Sequence, residues 1–285
     1  MSVRTAFALV AALLLASCGK PEPAAPALWE VTGPEGQHGY LFGTIHALPD
    51  GIDWRTERLQ RAFSDSNALV VEVVAMEPAE LFAKLATTPD QPPLSQRVDP
   101  RHRPALRRLL DHAGMKDADF SDTETWAAAL TLSRAASPDG GSNSVDGALL
   151  DSAGGERLMW VIELEGFAAQ LRMFDQLPEV EQRDLLEAVV DESQSAIEGD
   201  ASLRRAWMNG DMEMLARETQ KGILADPELR AVLFTARNKA WAKRVVGLMQ
   251  EGKHPFVAVG AAHMTGAGGI PALLGSSGYQ VKRIQ

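Results

Sequence analysis

The chain has 285 residues, 45% of them hydrophobic, with 38 acidic against 28 basic side chains and a formal net charge of −10. That balance, with no basic stripe along the sequence, argues against a nucleic-acid partner. A single cysteine, Cys18, excludes an internal disulfide and any metal centre built on thiolates.

Residues 1–17 read as a signal peptide: Arg4 is followed by an apolar run from Ala6 to Ala16 that is too short to span a bilayer. The string Leu15-Ala16-Ser17-Cys18 resembles the lipobox of bacterial lipoproteins. That resemblance implies cleavage before Cys18, a thioether-linked lipid on its sulfur, and anchoring by acyl chains in place of a transmembrane helix. Gly19 stands where an aspartate would signal retention, so the sorting rule of such lipoproteins implies the outer membrane of a Gram-negative bacterium, facing the periplasm. The proline-rich residues 18–27 read as a lipidated tether, and 28–285 as a single domain.

Within that domain, two short strands flank the turn Gly33-Pro34-Glu35-Gly36, the second running from Tyr40 to Ile45. Asp53 to Ser64 has helical spacing, and Asn67 to Val74 is a valine-rich run suited to a strand covered on both faces. Strand, helix, strand is the opening of an α/β fold. A helical zone over about 78–134, interrupted at Thr87–Pro93 and near Gly114, ends in a Gly/Ser/Pro-rich stretch, after which Asp146 is placed to cap a helix starting near Gly147. Leu158 to Glu165 reads as another buried strand. A second helical zone covers 166–250, with breaks at Leu177–Glu179 and Asn209–Gly210 and a last helix from Pro227 to Gln250. A strand over Phe256–Val259, a helix opening at Ile270-Pro271 and a strand over Tyr279–Ile284 complete the chain. The expected architecture is a central mixed β-sheet flanked by helices, with a largely helical middle.

Two strings, Gly43-Thr44-Ile45-His46 and Gly260-Ala261-Ala262-His263, each stand where an apolar strand stops. Ligands of α/β sheets collect at such strand ends. Two imidazoles and a carboxylate would make an open zinc, manganese or cobalt site, and the leading glycines allow close backbone approach. Alternatively, each histidine is a hydrogen-bonded structural residue; His38, His102, His112 and His254 read as surface groups. Glu72, on the same strand face as Val70 and Val74, is costly to bury without a cation, so it needs a metal or a partner such as Arg237. Beside a metal it could serve as the base that deprotonates water. Arg237 suits a clamp on a substrate carboxylate or phosphate, or a partner for Glu72. Asn238, unfavourable in a helix, points to a specific role. Glu163 and Glu165 share strand parity, so one can face a cleft. Gly266, Gly268 and Gly269 form either an anion-binding nest or an ordinary turn.

As a set, LFGTIHALP, the glutamate in LVVEV, the block from Asp146 through Glu165 and Gln170, the pair Arg237-Asn238 with Trp241, and the closing VAVGAAHMTGAGGIPALLGSSGYQVKRI resemble the TraB/GumN family. That family is related to the conjugation-pheromone shutdown protein and the animal Tiki proteases, and more distantly to erythromycin-esterase-like and ChaN-like haem-binding proteins. The resemblance implies an α/β fold with paired Gly-x-x-His motifs. It implies His46, Glu72 and His263 as metal or catalytic groups, Arg237 as a clamp on a developing oxyanion, and Asn238 nearby. Asp146 or Glu165 could replace Glu72 as the third ligand. The function expected first is a divalent-metal-dependent hydrolase of peptide or related amide bonds in the cell envelope. The alternatives are a metal-free histidine-dependent hydrolase, a non-catalytic binding protein for peptide or haem, and a scaffold. The partners implied are a peptide or small-molecule substrate and the membrane.

Overall fold

The computed structural model describes residues 22–45, 48–74, 79–136, 144–155, 159–197 and 201–285; Cys18 and His46 lie outside them. The strands are β1 (Glu22–Pro23), β2 (Leu28–Thr32), β3 (His38–Thr44), β4 (Ile52–Asp53), β5 (Ala68–Val71), β6 (Trp160–Glu163), β7 (Pro255–Gly260) and β8 (Gln280–Arg283). The helices are α1 (Glu57–Asp65), α2 (Ala79–Ala86), α3 (Arg103–Ala113), α4 (Thr125–Ala136), α5 (Val145–Ala153), α6 (Phe167–Asp175), α7 (Glu179–Ile197), α8 (Ser202–Met208), α9 (Met212–Thr219), α10 (Pro227–Arg230), α11 (Arg237–Gln250) and α12 (Ile270–Ser276). None of the described helices is long and apolar enough to cross a membrane.

Six strands form one sheet in the order β6-β5-β7-β3-β2-β8. The first four run parallel, and β2 and β8 are antiparallel to their neighbours, giving the expected mixed α/β sheet. Alternation along each strand divides the side chains between two cores. Phe42, Leu69, Val71 and Phe256 pack on one face with Leu59 of α1, Leu149 of α5 and Trp207 of α8. Leu41, Val70, Val257 and Val259 pack on the other with Trp241 and Val245 of α11 and Leu274 of α12. A third core lies among the helices of the middle, where Trp126 and Leu132 of α4 meet Leu186 and Val190 of α7. Each such side chain fully buried contributes about 1.5–3 kcal/mol.

Arg97, 1% exposed, organises the loops beside that third core. Its guanidinium donates to the carbonyls of Pro92 (2.8 Å), Thr123 (2.6 Å) and Phe120 (2.7 Å).

Several elements differ from the sequence expectations. The strand expected to run to Val74 stops at Val71, and Val74 is exposed, so Glu72 sits just past a strand end where its carboxylate can turn to partners beyond the sheet. The strand after α5 is an edge strand, not a buried one: among the described residues β6 pairs only with β5, and Trp160 is 66% exposed beneath the Lys253 ammonium. Ser144, not Asp146, caps α5, its hydroxyl accepting from the Gly147 amide. From Glu22 onward the segment expected to be a tether is packed on the body. β1 pairs with β4, the Ala25 amide donates to the Met208 carbonyl at 2.7 Å, and Ala24 and Ala27 are buried. The helix expected over Pro227–Gln250 is continuous but contains a π-helical turn, Ala231–Ala236, between α10 and α11.

Candidate functional site

The carboxyl ends of β3, β5, β6 and β7 lie along one edge of the sheet, because these four strands are parallel neighbours. β3 and β7 are adjacent, with Thr44 opposite Gly260, so the chain segments that follow Gly43 and Gly260 leave the sheet side by side. A Cβ on Gly43 would lie 2.9 Å from the Ala261 Cα, which explains glycine there: one string's backbone rests on the other. The Trp207 indole donates to the Gly43 carbonyl at 2.7 Å and holds that end of β3.

Beyond β7 the chain makes a 3-10 turn over Ala261–Met264 that carries His263, 8% exposed, under α11. Its imidazole stacks on Phe234 (5.5 Å between ring centres) and meets Trp241 at 4.6 Å. Nδ1 is 2.5 Å from Asn238 Oδ1, and Asn238 Nδ2 donates to the Gly268 carbonyl at 2.8 Å. A carbonyl can only accept, so this bond sets the amide with its oxygen toward the ring, and Nδ1 must carry the proton. Nε2 then keeps its lone pair.

Arg237 opens α11 directly after the π turn. Nε and Nη2 grip Glu165 in a two-point contact (2.8 and 3.1 Å), while Nη2 also donates to Glu72 at 2.9 Å. Nη1 donates to the Leu233 carbonyl at 3.1 Å and stands 3.5 Å from His263 Nε2. The guanidinium lies over the Trp241 ring at 4.4 Å, a cation–π contact within a largely dry cluster. The side chains of Arg237, Glu72 and Glu165 are 11%, 17% and 16% exposed. Glu72 ties three elements together: its second oxygen accepts from the Gly260 amide at 2.8 Å, and its backbone carbonyl accepts from the Glu165 amide at 3.0 Å. A Cβ on Gly260 would come within 3.3 Å of that carboxylate oxygen.

The fold thus brings together Glu72, Glu165, Arg237, Asn238 and His263 from widely separated parts of the sequence. Asp146 stands at the neighbouring end of β3, where it accepts the Thr44 hydroxyl at 2.7 Å as the Val145 amide donates to the Ile45 carbonyl. Glu163 is used elsewhere, accepting from the Val74 amide at 2.6 Å. The glycines after His263 serve the turn: the Gly268 carbonyl receives Asn238, and a Cβ on Gly269 would strike the Thr265 carbonyl at 2.5 Å. Thr44, Phe234 and Trp207 also shape the site. Thr44 stood inside LFGTIH, and its neighbours gave the only signal for it; the two aromatics look like ordinary helix core in sequence. Among the described residues, the trio close enough to share a cation is Glu181, Asp184 and Asp226, in the helical middle, away from His263.

The family model for TraB/PrgY/gumN proteins matches residues 27–283, which span every element of this site. The chain belongs to the TraB/PrgY/gumN family. It is also similar to the uncharacterised protein YbaP of Shigella flexneri and that of Escherichia coli strain K12, each 28% identical over 255 residues, covering 86% of this chain and 90% of the relative. No solved structure matches the chain significantly. In this TraB/PrgY/gumN chain, both Gly-x-x-His strings and the Arg237-Asn238 pair fall within the family match.

Proposed function

We propose that this protein is a divalent-metal-dependent hydrolase of peptide or related amide bonds, acting in the cell envelope to which a lipid on Cys18 anchors it. The observation that supports this reading is the state of His263. Asn238 holds the proton on Nδ1, so Nε2, which faces Arg237 Nη1 at 3.5 Å, is the ring nitrogen that can accept a bond, at the edge where β3 and β7 end side by side.

The residues fit a divalent ion in kind. A neutral imidazole whose other nitrogen is hydrogen-bonded is the common arrangement of a metal-ligating histidine. Two carboxylates set against one guanidinium leave the cluster with negative charge to balance a cation. His263 and His46 would hold the ion, with Asp146 as the third donor from the end of β3. A bound divalent ion would supply Lewis acidity and a water acidified toward neutral pH.

The residues of this chain supply the rest. Asn238 keeps the imidazole in one tautomer and one plane. Glu72 and Glu165 keep Arg237 in place, and Arg237 in turn holds the ends of β5 and β7 to α11. Every N–H of Arg237 is directed at a protein acceptor or at His263, which suits a positioning role better than a clamp on a developing oxyanion. Phe234 and Trp241 pack against the imidazole and help to keep it buried from water.

The test is the metal content of the chain purified without a polyhistidine tag, against a folded His46→Ala/His263→Ala variant. About one equivalent of zinc, manganese or cobalt in the parent, lost in the variant, is expected. No metal in the parent after reconstitution with these ions would overturn the metal reading. The short Asn238–His263 contact also favours a second reading, a metal-free hydrolase with Nε2 as general base, whose turnover would be insensitive to chelator.

A further inference from the structure

The chain enters the domain at the same edge of the sheet that carries the candidate site. β2 runs antiparallel to β3, with Leu28 opposite Phe42 and Thr32 opposite His38, so β2 begins where β3 ends. Residues 22–27 therefore come onto the sheet at the carboxyl ends of the parallel strands, and they are fastened there at several points. The Glu22 and Ala24 amides donate to the Gly51 and Asp53 carbonyls at 2.7 and 2.9 Å as β1 pairs with β4. The Ala25 amide donates to the Met208 carbonyl at 2.7 Å, and Trp207, the residue before it, bonds the Gly43 carbonyl. Two successive residues of α8 thus link the entering segment to the site end of β3. The Gln285 side chain donates to the Pro26 carbonyl at 2.7 Å and accepts from the Thr56 hydroxyl at 2.6 Å, which joins the segment to the start of α1.

This packing shortens the link to the lipid. The ten residues from Cys18 to Leu28 would span about 35 Å if extended, enough to let the domain stand away from a membrane. With the chain fixed from Glu22 onward, only four residues separate the body from Cys18, and they reach at most about 14 Å. The turn Gly33–Gln37 lies at the opposite edge, farther off by about 20 Å, the length of β3. Glu22, Asp50 and Asp53 are exposed at the entering edge, so charge does not draw it onto an anionic bilayer. The covalent link alone keeps it near.

We propose that the sheet edge bearing the candidate site is held at the bilayer surface. The substrates of the proposed function within its reach are then polypeptides attached to, or emerging from, the same membrane. This inference rests on the lipid anchor of that function and not on its metal.

The full chain, expressed with its signal peptide, is purified from bacterial membranes in detergent and the mass of the lipid on Cys18 is verified. It is then reconstituted into phosphatidylethanolamine/phosphatidylglycerol vesicles that carry rhodamine on a fraction of their headgroups. An acylated Cys18 offers no thiol, so a fluorescent donor goes on one introduced cysteine: Asp53→Cys beside β1, or Glu35→Cys in the far turn, both at exposed positions. Energy transfer to the headgroups should be at least about twofold more efficient from position 53 than from position 35. It should be unchanged at high salt, since no charge attraction is involved. A flexible Gly/Ser insertion of about twelve residues between Lys20 and Pro21 should lower the transfer from position 53. Should Asp53→Cys fail to fold, Glu22→Cys, on the paired strand, replaces it. Equal transfer from the two edges, greater transfer from position 35, or no response to the insertion overturns the proposal. An unmodified Cys18 overturns it at its premise, separately from the hydrolase chemistry, which none of these readings uses.

Discussion

Replacing Arg237 by methionine tests the site most directly, because one guanidinium neutralises two carboxylates that are each more than four-fifths covered. Methionine keeps much of the aliphatic bulk and removes the charge. It strands Glu72 and Glu165 beside each other, and it leaves the Leu233 carbonyl without that donor. Breaking a buried ion pair from one side costs about 3–5 kcal/mol. At about 2–4 °C per kcal/mol for a chain of this size, the melting temperature should fall on the order of 10 °C. Loss of the cation–π contact with Trp241 adds a smaller amount, about 0.5–2 kcal/mol. Urea denaturation followed by tryptophan fluorescence measures the change. Pairing Arg237→Met with Glu72→Gln should recover part of it, with a coupling of about 0.5–3 kcal/mol. A loss below about 1 kcal/mol would show Arg237 to be no more than a surface pair, and strict additivity in the cycle would refute the shared cluster.

Further substitutions probe the surrounding supports. Gly43→Ala places a methyl 2.9 Å from the Ala261 Cα, so it should cost about 1–3 kcal/mol and impair any activity of the neighbouring strand ends, read by thermal melting and turnover together. Asn238→Leu removes the group that holds the His263 proton on Nδ1, and metal affinity measured by competition with a chelator should fall about 10–100-fold; unchanged affinity would remove His263 from the metal shell. Arg97→Met leaves three carbonyls without their donor and should destabilise the chain by about 3 kcal/mol or more, while leaving metal content of the folded fraction unchanged.

Much of this site was legible in the sequence because its residues break local rules. A glutamate after Leu-Val-Val, an asparagine inside a helix and histidines behind strand glycines each demand a partner that the local chain does not supply. Pairing of Glu72 with Arg237 was one of the alternatives that burial cost left open, and the two side chains do meet, at 2.9 Å. The extent of the strands was less legible: valines at 73 and 74 continue the apolar run, yet hydrogen bonding of β5 to its neighbours stops at Val71, where the carboxylate turns away. Apolar periodicity likewise could not tell an edge strand from a central one, so Trp160 looked buried. Arg97 gave no local signal, since its partners are backbone carbonyls contributed by residues up to 26 positions away.

The π turn before Arg237 absorbs one residue between two bodies while keeping them in phase. Leu229 and Leu233 are seated in the helical core, and Trp241 and Val245 in the sheet core, so one continuous rod is geared into both. Widening a single turn accommodates about one residue more than an α-helical turn would. Deleting a residue from Ala231–Ala236 would let that turn close into regular α-helix with both ends still facing their cores, whereas a deletion from the regular helix beside it would turn the two ends by about 100° relative to each other. If the helical core kept its grip, Arg237 would swing away from both carboxylates; if the sheet core kept its grip, the helical middle would have to be re-seated. The turn therefore takes up one residue without changing the angular register between the two bodies, and a one-residue deletion in the regular helix beside it would uncouple the cluster from the helical middle without altering any of its residues.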